Sequence, residues 1–103
     1  MPKTLILLPR AEADAYDQAR YLAEHSPEAA ARFGVDLRVA FDKLLRFPNL
    51  GRPWLTRNPE LKGLRRLNLS ASPISLFYLP TDKTIEIVRV LHHSRQLPAE
   101  LEP

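Results

Sequence analysis

The stretch VRVLHHSRQL, residues 88–97, runs an apolar segment straight into two histidines, a serine and an arginine. Val88, Val90 and Leu91 call for burial, whereas Arg89, His92, His93 and Arg95 call for water, a phosphate or an acidic partner. Imidazole moves protons near neutral pH, and guanidinium holds an anion in a planar fork. Combined, they describe ribonuclease-like chemistry. Arginines, with Arg65, Arg89 and Arg95 as candidates, would hold the scissile phosphate, and a histidine or tyrosine would take the proton of a 2′-hydroxyl. Adjacent residues of a strand point to opposite faces, however, so both histidines cannot serve one cleft. His92, His93, Arg65 and Arg89 are therefore the catalytic candidates, but they do not make a convincing acid–base pair.

Other chemistries find less support. The chain has three histidines, two of them adjacent, and no cysteine, so it offers neither metal-ligand spacing nor a disulfide framework. Ser94 beside His93 is sequence adjacency rather than a triad. The three glycines are scattered and form no phosphate-cradling loop. No cofactor and no metal are expected. Trp54, following Pro53, is expected to cover the edge of the core rather than to anchor an interface.

The charge distribution narrows the partners. Residues 1–50 carry seven basic and seven acidic side chains, and residues 51–103 carry eight and five, so the net charge of +3 comes from the second half. Arg52, Arg57, Lys62, Arg65 and Arg66 stand against Glu60 alone. Such a region suits an acidic protein or a nucleic acid. The N-terminal apolar run, Leu5–Leu8, is too short for a signal-peptide core or a membrane span, and the absence of cysteine fits a reducing cytoplasm. No membrane partner is expected.

The elements that must position these residues follow from periodicity. At 103 residues the chain is expected to form one domain, 1–103. KTLILL (3–8) reads as a short strand closed by Pro9. From about Glu12 to His25 the pattern is helical, with Ala13, Tyr16, Ala19 and Ala23 as its stripe. Ser26, Pro27 and Glu28 supply an N-cap, a first-turn proline and a first-turn acid for a second helix running to about Phe47. Phe33, Leu37, Ala40, Phe41 and Leu44 form its apolar stripe, and Gly34 inside it suggests close approach to the first helix. FPNLGRPW ends the helix, and 52–63 reads as a loop. LRRLNL (64–69), ISLFYL (74–79) and TIEIVRVL (84–91) read as an antiparallel meander. The predicted class is α+β: an N-terminal strand and an α-helical hairpin packed on one face of a small, mainly antiparallel sheet. The second face is expected to stay partly open. Strict alternation places Ile85, Ile87, Arg89, Leu91 and His93 on one face and Glu86, Val88, Val90 and His92 on the other. Arg65 and Arg66 fall on opposite faces.

With these elements in order, YLAEHSPEAAARFGVDLRVAFDKLLRFPNLGRP followed by LRRLNL, ISLFYL and IEIVRVLHHSRQL resembles the ParE branch of the RelE/ParE toxin superfamily over nearly the whole chain. The resemblance implies the same fold. It also implies the toxin of a type II toxin–antitoxin system, which stabilises plasmids and arrests growth. It further implies a cognate antitoxin, with a ribbon-helix-helix or similar domain and an acidic C-terminal tail that folds onto the toxin in a hetero-oligomer. The ParE branch acts on DNA gyrase, and the RelE branch cuts messenger RNA on the ribosome. RelE-type nucleases use a tyrosine near the C-terminus and a close lysine pair. Here the tail is QLPAELEP, and the loop has Lys62. Many ParE relatives carry an arginine after the FY of the third strand, where this chain has FYLP. The expectation is a gyrase-inhibiting binder without chemistry of its own, with two alternatives: a RelE-like ribosome-dependent endoribonuclease, and a non-toxic relative that only binds an antitoxin. Arg65, Arg66, Tyr78, Arg89, His92, His93, Arg95 and Leu97 make up the expected surface for antitoxin or target, with Leu97 tucking the tail back onto the domain.

Overall fold

A computed structural model describes residues 3–103. The chain runs β1 (Thr4–Leu7), α1 (Pro9–His25), α2 (Pro27–Arg46), β2 (Arg52–Pro53), β3 (Arg65–Asn68), β4 (Ile74–Pro80) and β5 (Thr84–His92), with short 3₁₀ turns at Pro59–Leu61 and Ala99–Leu101. The five strands form one sheet in the order β1-β5-β4-β3-β2. The β2 to β5 pairings are antiparallel and β1 lies parallel to β5, so the sheet is mixed. A crossover through two helices allows the parallel pairing, since a parallel neighbour cannot be reached by a hairpin. No helix of the described residues is long and apolar enough to cross a membrane.

The break between the helices is encoded at Ser26. Its backbone closes α1, and its side chain accepts a hydrogen bond from the Ala29 N–H at 3.2 Å, capping α2. Pro27 follows at the first helical position, where its missing N–H costs nothing. For the same reason Pro9 opens α1 rather than merely closing β1, and the helix starts three residues earlier than its acidic turn suggests. The stripe of α1 also differs from expectation. Ala11, Ala15, Ala19 and Leu22 meet the core, whereas Ala13, Ala23 and Tyr16 face outward. A run rich in alanine fits several stripes, and only Leu22 distinguishes the true one. The stripe of α2 is as expected: Phe33, Ala40 and Leu44 are buried, with Leu37 and Phe41 packed beside them. Gly34 is exposed, and a Cβ there would meet nothing within 4 Å, so it does not serve helix packing.

Two cores flank the sheet. The first lies under the helices and gathers Leu76, Tyr78, Ile85, Ile87 and Val90 from the strands. The second lies on the opposite face around Leu64, Phe77, Val88, Leu91 and Leu101, with Trp54, Leu61 and Leu97 packed against it. That face is closed, contrary to the expectation that it would stay partly open: the segment around Trp54–Leu64 and the C-terminal tail cover it. The Trp54 indole donates to Leu101 O at 2.8 Å and the Thr56 hydroxyl to Glu100 O at 3.0 Å, which ties the two coverings together.

A bulge in β5 reassigns its faces. Phe77 pairs with Arg89, but the next residue, Tyr78, pairs with Ile87, leaving Val88 unmatched. An extra residue inverts the alternation beyond it. Val90 therefore joins Ile85 and Ile87 in the helix-side core, and Leu91 joins Val88 in the other. The strict alternation read from sequence holds up to Val88 and fails beyond it.

Candidate functional site

The local fold determines which of the expected site residues reach a surface. Arg89 does not. Beyond Leu7 the strand β1 gives way to α1, so β5 from Val88 onward has a sheet partner only on its β4 side. Asp14, on the second turn of α1, occupies the vacated edge. Its carboxylate accepts from the Val90 N–H at 3.0 Å and takes Arg89 in a fork, Nε to Oδ2 at 2.7 Å and Nη2 to Oδ1 at 2.9 Å. Glu100 in the tail accepts from Arg89 Nη1 at 3.1 Å. The Arg89 and Asp14 side chains are 8% and 9% exposed, so the charges compensate each other away from water. The hydrogen bond to Asp14, more than the opposing cost of burial, holds the guanidinium pKa above its already high value. Arg89 is thus neither a phosphate ligand on an open surface nor a docking residue. It joins α1, β5 and the tail.

Arg65 is likewise engaged internally. Its Nη1 donates to Gly51 O at 2.6 Å and to Asn49 O at 3.2 Å. Tyr78, its cross-strand partner, is fully buried, donates to Pro48 O at 2.9 Å and accepts from the Gly51 N–H at 2.8 Å. Burial pushes the Tyr78 phenol pKa up, against the smaller lowering effects of the Gly51 hydrogen bond and the Arg65 charge. Together the pair clamps the 48–51 turn. Tyr78 offers nothing to a partner, contrary to the expectation from sequence.

The histidines sit at the end of β5. His92 is half-buried, and its Nδ1 accepts from the Ser94 N–H at 3.0 Å, with Ser94 Oγ at 2.7 Å. In the neutral ring this leaves the proton on Nε2. The His92 carbonyl also accepts from the Arg95 N–H at 3.1 Å, so the chain turns sharply there. His93 is exposed, and its backbone N–H donates to Pro73 O. His92, Ser94 and the exposed Arg95 line one side of a groove of about 430 Å³, with Asp17, Gln18 and Tyr21 of α1 opposite. Leu97 packs into the second core and brings the tail back onto the domain, as expected.

Arg66 belongs to a different place. It lies with Arg52 at the far edge of the sheet, across β4 from the β5 groove. Its Nε donates to Ser75 Oγ at 3.0 Å, and its guanidinium carbon lies 5.2 Å from the Trp54 ring centre and 5.7 Å from that of Phe77. The structure therefore does not gather the expected arginines into one recess. Arg89 turns inward, the half-buried Arg65 spends its Nη1 on the 48–51 turn, Arg66 looks out at one edge, and Arg95 with His92 looks out at the other. Sequence reasoning missed the parts played by Asp14 and Glu100, and placed Arg52 only within the general basic region. The first two act through contacts 75 and 11 residues distant from Arg89 and carry no local signal.

Comparison with known proteins is consistent with this geometry. The family model described as the ParE toxin of the type II toxin–antitoxin system parDE matches residues 5–97. Among solved structures, the chain is similar to one from a chromosomal ParDE toxin–antitoxin system of P. aeruginosa, with a TM-score of 0.70 and 24% identity, covering 87% of this chain and 95% of that one. It is also similar to one from the RelBE2 toxin–antitoxin complex of Mycobacterium tuberculosis, with a TM-score of 0.58 and 27% identity, covering 89% and 99%. No curated protein sequence matches significantly.

Proposed function

Because the chain belongs to the ParE toxin family of type II toxin–antitoxin systems, we propose that it arrests growth by binding DNA gyrase in the cytoplasm, without chemistry of its own. A cognate antitoxin with an acidic C-terminal tail holds it inactive in a hetero-oligomer. The observation that carries this reading is the dispersal of the catalytic candidates. A ribonuclease needs a proton-moving group within reach of an open cationic phosphate site. Here Arg89 is enclosed by two carboxylates, the Arg65 Nη1 is taken by two backbone carbonyls, and the His92 Nδ1 by Ser94. What remains outward is suited to docking. Tyr16, Tyr21, Val35, Val39 and Phe47 leave apolar surface on and just after the helices, and Arg52, Arg57 and Lys62 are exposed around β2 and the loop after it.

The likeness to the RelBE2 structure supports the second reading, ribosome-dependent cleavage of messenger RNA with His92 or His93 moving the proton. A supercoiling assay beside a ribosome-dependent cleavage assay, both with purified protein, separates the two. Inhibited gyrase with intact mRNA is expected. Cut mRNA with gyrase unaffected reverses the order. Expression without the antitoxin should arrest growth, and normal growth would leave only the antitoxin-binding role.

A further inference from the structure

The edge of β3 ends in an unfilled position. β2 pairs only with Arg65 and Arg66. The Trp54 N–H bonds Leu64 O, and Arg52 lies opposite Arg66, so alternate residues of β3 direct their backbone groups toward β2. Leu69, by contrast, donates to Ile74 O on the β4 side. The same alternation turns the N–H and C=O of Asn68 outward, past the point where β2 has stopped.

Two recesses flank that position, and both are bordered by Leu50, Leu67 and Asn68. The one on the helix side, about 220 Å³, is walled by Val39, Ala40 and Leu69, with Lys43 and Asp36 also lining it, the Asp36 carboxylate being held by the Ser70 hydroxyl and the Ala71 N–H. Val39 and Leu50 are 42% and 46% exposed. The one on the opposite side, about 420 Å³, holds Arg52, Arg66 and Trp54. Arg66 is prepared for an anion. Ser75 and the two aromatic rings fix its plane, and among the described residues no carboxylate lies within 4.0 Å of it. Arg52 stands directly across from it, and facing like charges repel unless an anion joins them.

We infer that the Asn68 edge of β3 takes up an extended acidic peptide whose side chains alternate between apolar and acidic, adding it to the sheet as a strand. Successive side chains of a strand point to opposite faces. One set enters the recess beside Val39 and Leu50, and the other brings carboxylates to Arg66 and Arg52. Main-chain bonds to Asn68 fix the register. A nucleic acid would satisfy the arginines but leave the apolar recess uncovered. The inference rests on the reading of the chain as a protein held by an acidic partner.

The test uses the whole chain and its single tryptophan as reporter. The probes are acetylated Glu-Val-Glu-Val-Glu-Val, its block isomer Glu-Glu-Glu-Val-Val-Val, and a hexathymidylate. The alternating peptide should change Trp54 fluorescence saturably and slow exchange of the Asn68 amide. Arg66→Gln and, independently, the exposed Arg52→Gln should each weaken it about tenfold, and Lys83→Gln should not. Equal binding of the block isomer, indifference to both arginine substitutions, or tighter binding of the hexathymidylate would overturn the inference. Neither gyrase nor toxicity enters the measurement, so it can fail while the gyrase reading stands, and the reverse.

Discussion

Arg89 and Asp14, 75 residues apart, meet through two parallel hydrogen bonds of 2.7 and 2.9 Å, and the same carboxylate takes the Val90 N–H. One acidic side chain thus ends the sheet edge, neutralises the strand's arginine and fastens α1. Its removal strands a buried cation and a backbone donor together. Asp14→Ala should destabilise the protein by about 3 kcal/mol, because a buried charge left without its partner is costly. Asp14→Leu combined with Arg89→Met should cost well under the sum of the single changes. Urea unfolding of the parent protein, the three single variants and the double variant checks both statements. Charge reversal at Arg89 is consequently a stability experiment, and Arg95 is the position at which reversal tests docking.

Two glycines should respond in opposite directions. At Gly51 an added Cβ would lie 2.7 Å from Arg66 O and 2.8 Å from the Tyr78 ring. Gly51→Ala should therefore cost about 1–3 kcal/mol and loosen the turn that Arg65 and Tyr78 clamp. At Gly34, in mid-helix with nothing within 4 Å, alanine should stabilise by about 0.5–1 kcal/mol. Thermal unfolding of the two variants measures the contrast.

Tyr78 predicts the alkaline limb of stability. Its pKa is raised in the fold, chiefly by burial. The unfolded chain releases this proton near pH 10, while the folded chain still holds it. Its contribution is complete below about pH 10 and declines as pH climbs through the higher folded value. Tyr78→Phe should lower stability at pH 7 by about 1–2 kcal/mol through its two lost hydrogen bonds, and should flatten the decline above pH 10. Denaturant midpoints from pH 7 to 11 test both; an equally steep decline in the variant would assign the effect elsewhere.

The tail should act as part of the core. Leu101 is fully buried, and its carbonyl holds the Trp54 indole. Leu101→Ala should cost about 2–4 kcal/mol and increase binding of a hydrophobic dye as the face around Phe77 and Leu91 opens. Unchanged dye binding would mean that the loop around Trp54 covers that face by itself.

The sequence by itself determined the order of the two helices and the four longer strands, the capped break at Ser26, the stripe of α2, the meander and the family pattern. Each depends on neighbours a few residues apart, where period and capping chemistry act. The two-residue strand β2, by contrast, lies in a stretch that reads as a loop. The stripe of α1 was ambiguous because alanines fit several registers. The tertiary structure alone decided the fate of the arginines. The bulge at Val88, a one-residue slip against β4, inverts the faces of β5, and the Asp14 and Glu100 carboxylates reach Arg89 from distant segments. A charged residue in a sequence shows that a partner is needed. Whether that partner is a carboxylate of the same chain or one from outside depends on which segments the fold brings within about 3 Å.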